Sequence, residues 1–163
     1  MIEQVIPKSV WSPPEIVEKA ISDDEREWVP SAAPGVWMRP LQFDTVNGSW
    51  VNITRMRTEG FVSRHRHPAP VHGYVIKGSW RYLERDWVAS EGSYLFEAPG
   101  DTHTLWADPG ESLTLFHISA CLIDVDEVGN PLSYADVFTR IEQAAQHYES
   151  VGLGADYVQR YVR

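Results

Sequence analysis

From residue 34 onward the chain runs in short stretches of apolar and polar residues, and turn-forming residues break most of them apart. Runs at 36–45 and 49–58 flank Asn47-Gly48, a pair that favours the tight turn of a β-hairpin. Further strand-like runs fall at 71–77, 79–85, 93–97, 103–107 and 113–122. Gly60, Pro68, Pro70, Gly78, Gly92, Pro99-Gly100 and Pro109-Gly110 separate most of them. Many short strands with regular turn signals predict an all-β sandwich or barrel. The strand–helix–strand alternation of a parallel nucleotide-binding sheet is absent.

The two flanks read differently. Residues 1–33 form an arm, with an edge strand near 4–6 and a short helix over 15–22, where Ile16, Val17, Ala20 and Ile21 make a helical stripe after Pro13-Pro14. At the other end, Ser133 and Asp136 have the spacing of a capping box. Val137, Phe138, Ile141, Ala144, Ala145 and Tyr148 then follow at helical intervals, with Gly152 and Gly154 closing the helix. The reading is therefore one domain over 1–163: an arm at 1–33, a β-barrel at 34–126 and a C-terminal helical segment at 133–163.

Composition narrows the function classes. A net charge of −9, with fourteen basic residues scattered along the chain, excludes nucleic acid as the expected partner, because phosphate binding needs a dense Lys/Arg surface. No apolar run approaches the roughly 20 residues that cross a bilayer, and the start lacks the blocks of a signal peptide, so cytoplasmic residence is the default. One cysteine, Cys121, allows neither an intrachain disulfide nor a thiolate cluster. It reads as a small buried apolar residue.

The chemistry sits in the histidines. His65 and His67 are two apart, so a strand would project both imidazoles from one face, while Arg64 and Arg66 point to the other. His103 follows the Pro99-Gly100 turn. His117 and His147 fit packing or solvent exposure better than ligation.

These residues carry a resemblance. Gly60, His65-Arg66-His67 and Gly78 are similar to the first motif of the cupin family, and Gly92, Pro99-Gly100 and His103 to its second. Two positions depart from the pattern. The family's glutamate ligand is missing, its place falling on Val71 when counted back from Gly78 or on His72 when counted forward from His67. Its final asparagine is replaced near Ala107.

The resemblance implies a single-domain cupin, a double-stranded β-helix or jelly roll, with a divalent metal on His65, His67 and His103. A site of three neutral imidazoles without carboxylate keeps the full +2 charge and favours an anionic, bidentate substrate. Fe(II) is the metal the resemblance favours; imidazole also suits Ni, Cu and Zn, so ligand type alone does not choose, and Zn, Ni and Mn stay open. His72 is either a fourth ligand or, being opposite in parity to Val71, turned to the other face of its strand; a place beside the pocket is the reading favoured. Trp80 and Tyr82, the second and fourth residues after Gly78, would turn inward as an aromatic slot, or simply fill the core. Glu97, beside the turn, is a candidate general base, weighed against an exposed or structurally paired carboxylate.

Within the family the chain resembles the three-histidine dioxygenases of the 2,4′-dihydroxyacetophenone and acetylacetone-cleaving types. That likeness implies a homodimer that splits a carbon–carbon bond of a hydroxyketone or diketone with O₂. The alternatives are a non-redox isomerase or hydrolase using Zn or Mn, and a zinc-holding sensor module like that of certain anti-sigma factors. Fold alone does not choose among them.

Overall fold

The computed structural model describes residues 12–163. The strands are β1 (Val29–Pro30), β2 (Val36–Asp44), β3 (Ser49–Met56), β4 (Gly60–Arg66), β5 (Val71–Lys77), β6 (Ser79–Tyr82), β7 (Ala89–Ser90), β8 (Tyr94–Glu97), β9 (Thr102–Ala107), β10 (Ser112–Ser119), β11 (Cys121–Val125) and β12 (Pro131–Asp136). The α-helix α1 follows over Val137–Ser150. Two six-stranded antiparallel sheets, β1-β2-β3-β10-β5-β8 and β12-β11-β4-β9-β6-β7, face each other as a jelly roll. Their inner faces hold the core, with Trp50, Val71, Val75, Trp80 and Phe116 buried between them. Among the described residues no helix is long and apolar enough to cross a membrane.

The hairpin at Asn47-Gly48 forms, but its loop spans residues 45–48 because Asp44 pairs with Ser49. The Asp44 carboxylate accepts from the backbone N–H groups of Val46 and Asn47 at 3.0 and 2.9 Å, which holds the longer turn.

The chain makes two of its crossings between the sheets through a single left-handed residue each. Gly78 (φ 73°) passes it from β5 to β6, and Ala120 (φ 60°) from β10 to β11. The single run read at 113–122 is therefore two strands, split where the chain changes sheets. At Gly78 a Cβ would sit 2.4 Å from the Glu111 carbonyl oxygen. Neither backbone can yield cheaply, so Gly78→Ala is expected to destabilise the fold by about 2–4 kcal/mol. A urea midpoint that corresponds to less than ~1 kcal/mol of change would contradict this account of the turn.

The flanks correct the sequence reading in two places. Residues 15–22 are not helical. Eight residues barely repay helix nucleation, and this stretch is instead irregular, held by outside partners. Glu18 takes Arg160 at 2.6 Å, and Ala20 packs on the outer face of the first sheet beside Trp28, Ile53 and Leu113. Arg55 reinforces the same contact, lying 4.1 Å over the Trp28 ring and pairing with Glu25. The strand expected near 4–6 lies outside the described residues. In the C-terminal segment, Ser133 belongs to β12. The helix starts one turn later, with Asp136 as N-cap and Thr139 completing the capping box. Val137, Ala144 and Tyr148 are the buried face of α1, which packs against β1, β2 and β12. This placement sets Arg140 against the interior of the roll.

Candidate metal centre

β4 and β9 are neighbours, and their register sets His65 directly opposite His103. His67 follows β4 immediately, and its carbonyl accepts from the Gly100 N–H at 2.7 Å. The Pro99-Gly100 turn is thereby tied to the first histidine pair, and it delivers His103 to the same place. All three side chains are buried, with ring nitrogens within 4.8 Å of one another.

The spacing suits one cation. Two nitrogens about 2.1 Å from a shared ion, at right-angled to tetrahedral spread, lie about 3.0–3.4 Å apart. His65 Nε2 and His103 Nε2 are 3.2 Å apart. The His65 ring stands nearly perpendicular to the other two, at 83° and 87°, so edges rather than faces converge.

Tautomers are fixed from behind. The Cys121 carbonyl lies 3.3 Å from His67 Nδ1 and can only accept, so that nitrogen carries the proton and Nε2 keeps its lone pair. Ser63 Oγ is 2.9 Å from His65 Nδ1, where the hydroxyl can accept that nitrogen's proton and so leave the His65 Nε2 lone pair free. Burial pushes His67 and His103 down to about 4, with the His67 charge adding to the effect at His103. Burial, then the neighbouring imidazoles, hold His65 well below its ordinary value. At neutral pH all three are uncharged donors, and the donor set fits a divalent ion.

The expectation of a site without carboxylate is corrected by Glu97. Val71 does occupy the inward position where the family's glutamate would stand. Across the ladder, however, β8 pairs Glu97 with Val71 and turns its side chain into the same space. Glu97 Oε2 lies 3.5 Å from both His67 Nε2 and His103 Nε2, and has no hydrogen-bond partner. Its other oxygen accepts from the Tyr82 hydroxyl at 2.7 Å. Burial raises the Glu97 pKa to about 7, against the pull of that hydrogen bond. The Tyr82 ring also stacks on His103, with centroids 3.9 Å apart. The parity of β8 was the available signal: Leu95 and Glu97 share a face, opposite to the exposed Tyr94 and Phe96.

Two pocket expectations are corrected. His72 alternates with Val71 along β5 and so faces outward, where its Nδ1 meets the Tyr94 hydroxyl at 2.8 Å and its ring stacks near His117. It takes no part in the cluster. Trp80 is fully buried but does not reach the cavity wall; its Nε1 donates to Thr114 Oγ1 at 2.9 Å, deeper in the core. Tyr82 does line the cavity. Arg64 and Arg66 turn away from the cluster, with Arg64 held by Glu84 at 2.7 Å.

His65, His67 and Glu97 lie in the wall of a cavity that opens to solvent and holds about 110 Å³ of internal space. Trp50, Val71, Leu105 and Phe116 make much of the lining apolar, and Asn52 and Arg140 add polar groups that the sequence reading did not single out. Such a concave, mostly apolar space with a few directed polar atoms is the usual form of a small-molecule site.

The profile of the family described as the ChrR cupin-like domain matches residues 17–122, a stretch that contains the three histidines and Glu97. Among solved structures, an RmlC-like cupin protein of Ralstonia eutropha JMP134 superposes with a TM-score of 0.73 at 25% identity, over 77% of this chain and 83% of that one. An acetylacetone dioxygenase of Acinetobacter johnsonii gives 0.70 at 18% identity, over 86% and 99%. A candidate acetylacetone dioxygenase of Methylibium petroleiphilum PM1 gives 0.69 at 20% identity, over 82% and 99%. At these identities the last two show a shared fold. Comparison with the curated proteins finds no match.

Proposed function

The chain belongs to the ChrR cupin-like family, and we propose that it is a metal-dependent dioxygenase that cleaves a carbon–carbon bond of a hydroxyketone or diketone. His65, His67 and His103 would hold the metal, Fe(II) in this reading. The observation that carries it is the convergence of three neutral imidazoles and one unpaired buried carboxylate oxygen, with His65, His67 and Glu97 exposed to a cavity that opens to solvent. A surface or structural zinc site needs no such space beside it. The fold shared with the two acetylacetone dioxygenase structures supports the reading.

When bound, Fe(II) would supply Lewis acidity toward an enolate and redox chemistry toward O₂. The chain's own residues do the rest. Glu97 Oε2 takes the proton that the substrate carbon loses as the enolate forms, and the Tyr82 hydroxyl holds the carboxylate in place through Oε1. Val71, Leu105 and Phe116 keep water from the reacting end. The three imidazoles are neutral, and Glu97 becomes neutral once it has taken the proton, so the enolate is then the anion that matches the positive charge of the site.

Metal analysis of anaerobically prepared protein, combined with O₂ consumption on a panel of hydroxyketones and diketones, tests the proposal. Iron with uptake on any of them supports it. Zinc at full occupancy with no uptake would overturn it in favour of a non-redox or sensor role, which the family match accommodates equally well.

A further inference from the structure

Among the described residues, eight buried side-chain polar atoms lack a hydrogen-bond partner. Three of them belong to residues that line the cavity beside the histidines: Glu97 Oε2, Asn52 Oδ1 and Arg140 Nε. A buried polar atom left unpaired costs about 1–3 kcal/mol, so three around one space point to a ligand that supplies the missing partners.

Arg140 is the informative member. Three other arginines also have a buried, unpaired Nε: Arg39, Arg55 and Arg64. Each of those spends its charge elsewhere, on Glu27 at 3.1 Å, Glu25 at 2.6 Å and Glu84 at 2.7 Å. Arg140 has no carboxylate within 4.0 Å among the described residues. The acidic group that acts on it from a distance is Asp124, one of whose oxygens already accepts from Ser133. Arg140 is half-buried: its Nε is shut off from water, burial lowers its pKa, and no carboxylate among the described residues pairs with it.

It is also held in position. Arg140 Nη1 donates to Gln143 Oε1 at 2.8 Å, and Gln143 Nε2 donates to the Pro30 carbonyl at 2.8 Å. Gln143 thus ties the guanidinium to β1, as expected of a group arranged in advance for a ligand. A single guanidinium among apolar neighbours such as Val36 and Met38 matches a monoanion with an apolar body, and is too little for a phosphate dianion.

We propose that Arg140 binds a carboxylate on the substrate, so that the cavity takes a keto acid whose diketone or hydroxyketone end faces the histidines and whose acid end faces α1. The position of the reacting end rests on the function proposed above; the charge recognition by Arg140 does not.

Isothermal titration calorimetry, on metal-free and on iron-loaded protein under anaerobic conditions, tests this with three probes. They are 4,6-dioxoheptanoate, heptane-2,4-dione (the same skeleton with a methyl group for the carboxylate) and hexanoate, which has the acid without the diketone. The wild type is expected to bind 4,6-dioxoheptanoate at least about tenfold more tightly than heptane-2,4-dione, the gain of one buried charge-assisted pair. Arg140→Met should erase that gap while leaving heptane-2,4-dione affinity as it was, which also shows that the variant is folded. Arg140→Lys should keep part of it. Equal affinities in the wild type, or a gap that survives in Arg140→Met, would overturn the proposal, and the wild-type comparison needs no variant at all. Oxygen consumption separates this test from that of the function. If 4,6-dioxoheptanoate and hexanoate bind through Arg140 but no metal-loaded form consumes O₂, the carboxylate site stands and the dioxygenase falls. If both diketones are consumed and bind alike, the reverse holds.

Discussion

Replacing His103 by alanine is expected to abolish tight metal binding and oxygen-dependent turnover while leaving both sheets folded. His103 supplies one of three convergent nitrogens, 3.2 Å from its partner on His65. Loss of an outer group that merely orients a ligand costs about 10–100-fold in affinity, so loss of the ligand itself should cost on the order of 10³-fold or more. The fold does not depend on this ring for its hydrogen bonding, because the β4–β9 ladder is made by backbone groups. What the variant loses is the stacking against Tyr82 and a little packing. Metal per chain, measured after dialysis, checks the first half of the expectation. The second half shows in thermal unfolding. A metal present at ~100 times its dissociation constant stabilises the wild type by about 2.7 kcal/mol, or roughly 5–10 °C for a chain of this size. His103→Ala should show no such rise at the same metal concentration. Unchanged metal content would remove His103 from the site.

How far this site could be read from the sequence follows from what sets each residue's direction. His65 and His67 were legible because strand parity is a two-residue rule, and it held even though His67 lies just past the end of β4. The same rule, applied to β5, separates Val71 from His72 once the strand's inward face is known. Counting from one motif or the other could not supply that face. Glu97 was harder, since its role depends on β8 lying beside β5 and on the register that sets it opposite Val71. A carboxylate in the expected region had moved one strand across, where a linear motif does not look. Arg140 was out of reach altogether. Its place in the cavity depends on how α1 packs across the end of the roll, a tertiary fact with no local signal. The helix over 15–22 failed for a related reason: a weak helical stripe yielded to side-chain partners more than a hundred residues away, Arg160 among them. Local periodicity found the sheets; long-range packing chose the arm's conformation and completed the pocket.

The metal-free protein should lose stability steeply as pH falls from about 6.5 toward 4. His67 and His103 titrate near 4 when folded and near 6.5 when unfolded, because burial disfavours their charged forms. Above 6.5 both states hold them neutral and they cost nothing. Below it the unfolded chain takes up protons that the folded chain refuses, and each histidine removes roughly 3 kcal/mol by the time pH 4 is reached. Glu97 works in the opposite direction. Its folded value of about 7 lies above the 4.5 of an exposed glutamate, so it favours the folded state at low pH and loses that advantage as pH rises through 4.5 to 7. Between 4.5 and 6.5 the two histidines oppose one carboxylate, and the histidines win. Urea midpoints of metal-free protein across this range should therefore fall with acid. Ordinary surface carboxylates contribute little until pH drops below their own unfolded values, so the slope above 4.5 belongs to the cluster. Glu97→Gln should steepen it and raise stability at pH 7.5, where the wild type bears the cost of an ionised buried carboxylate. His67→Ala should flatten it. A midpoint that does not move between pH 7 and 4.5 in the metal-free wild type would mean that these side chains are not buried together, and the coordination centre would go with that burial.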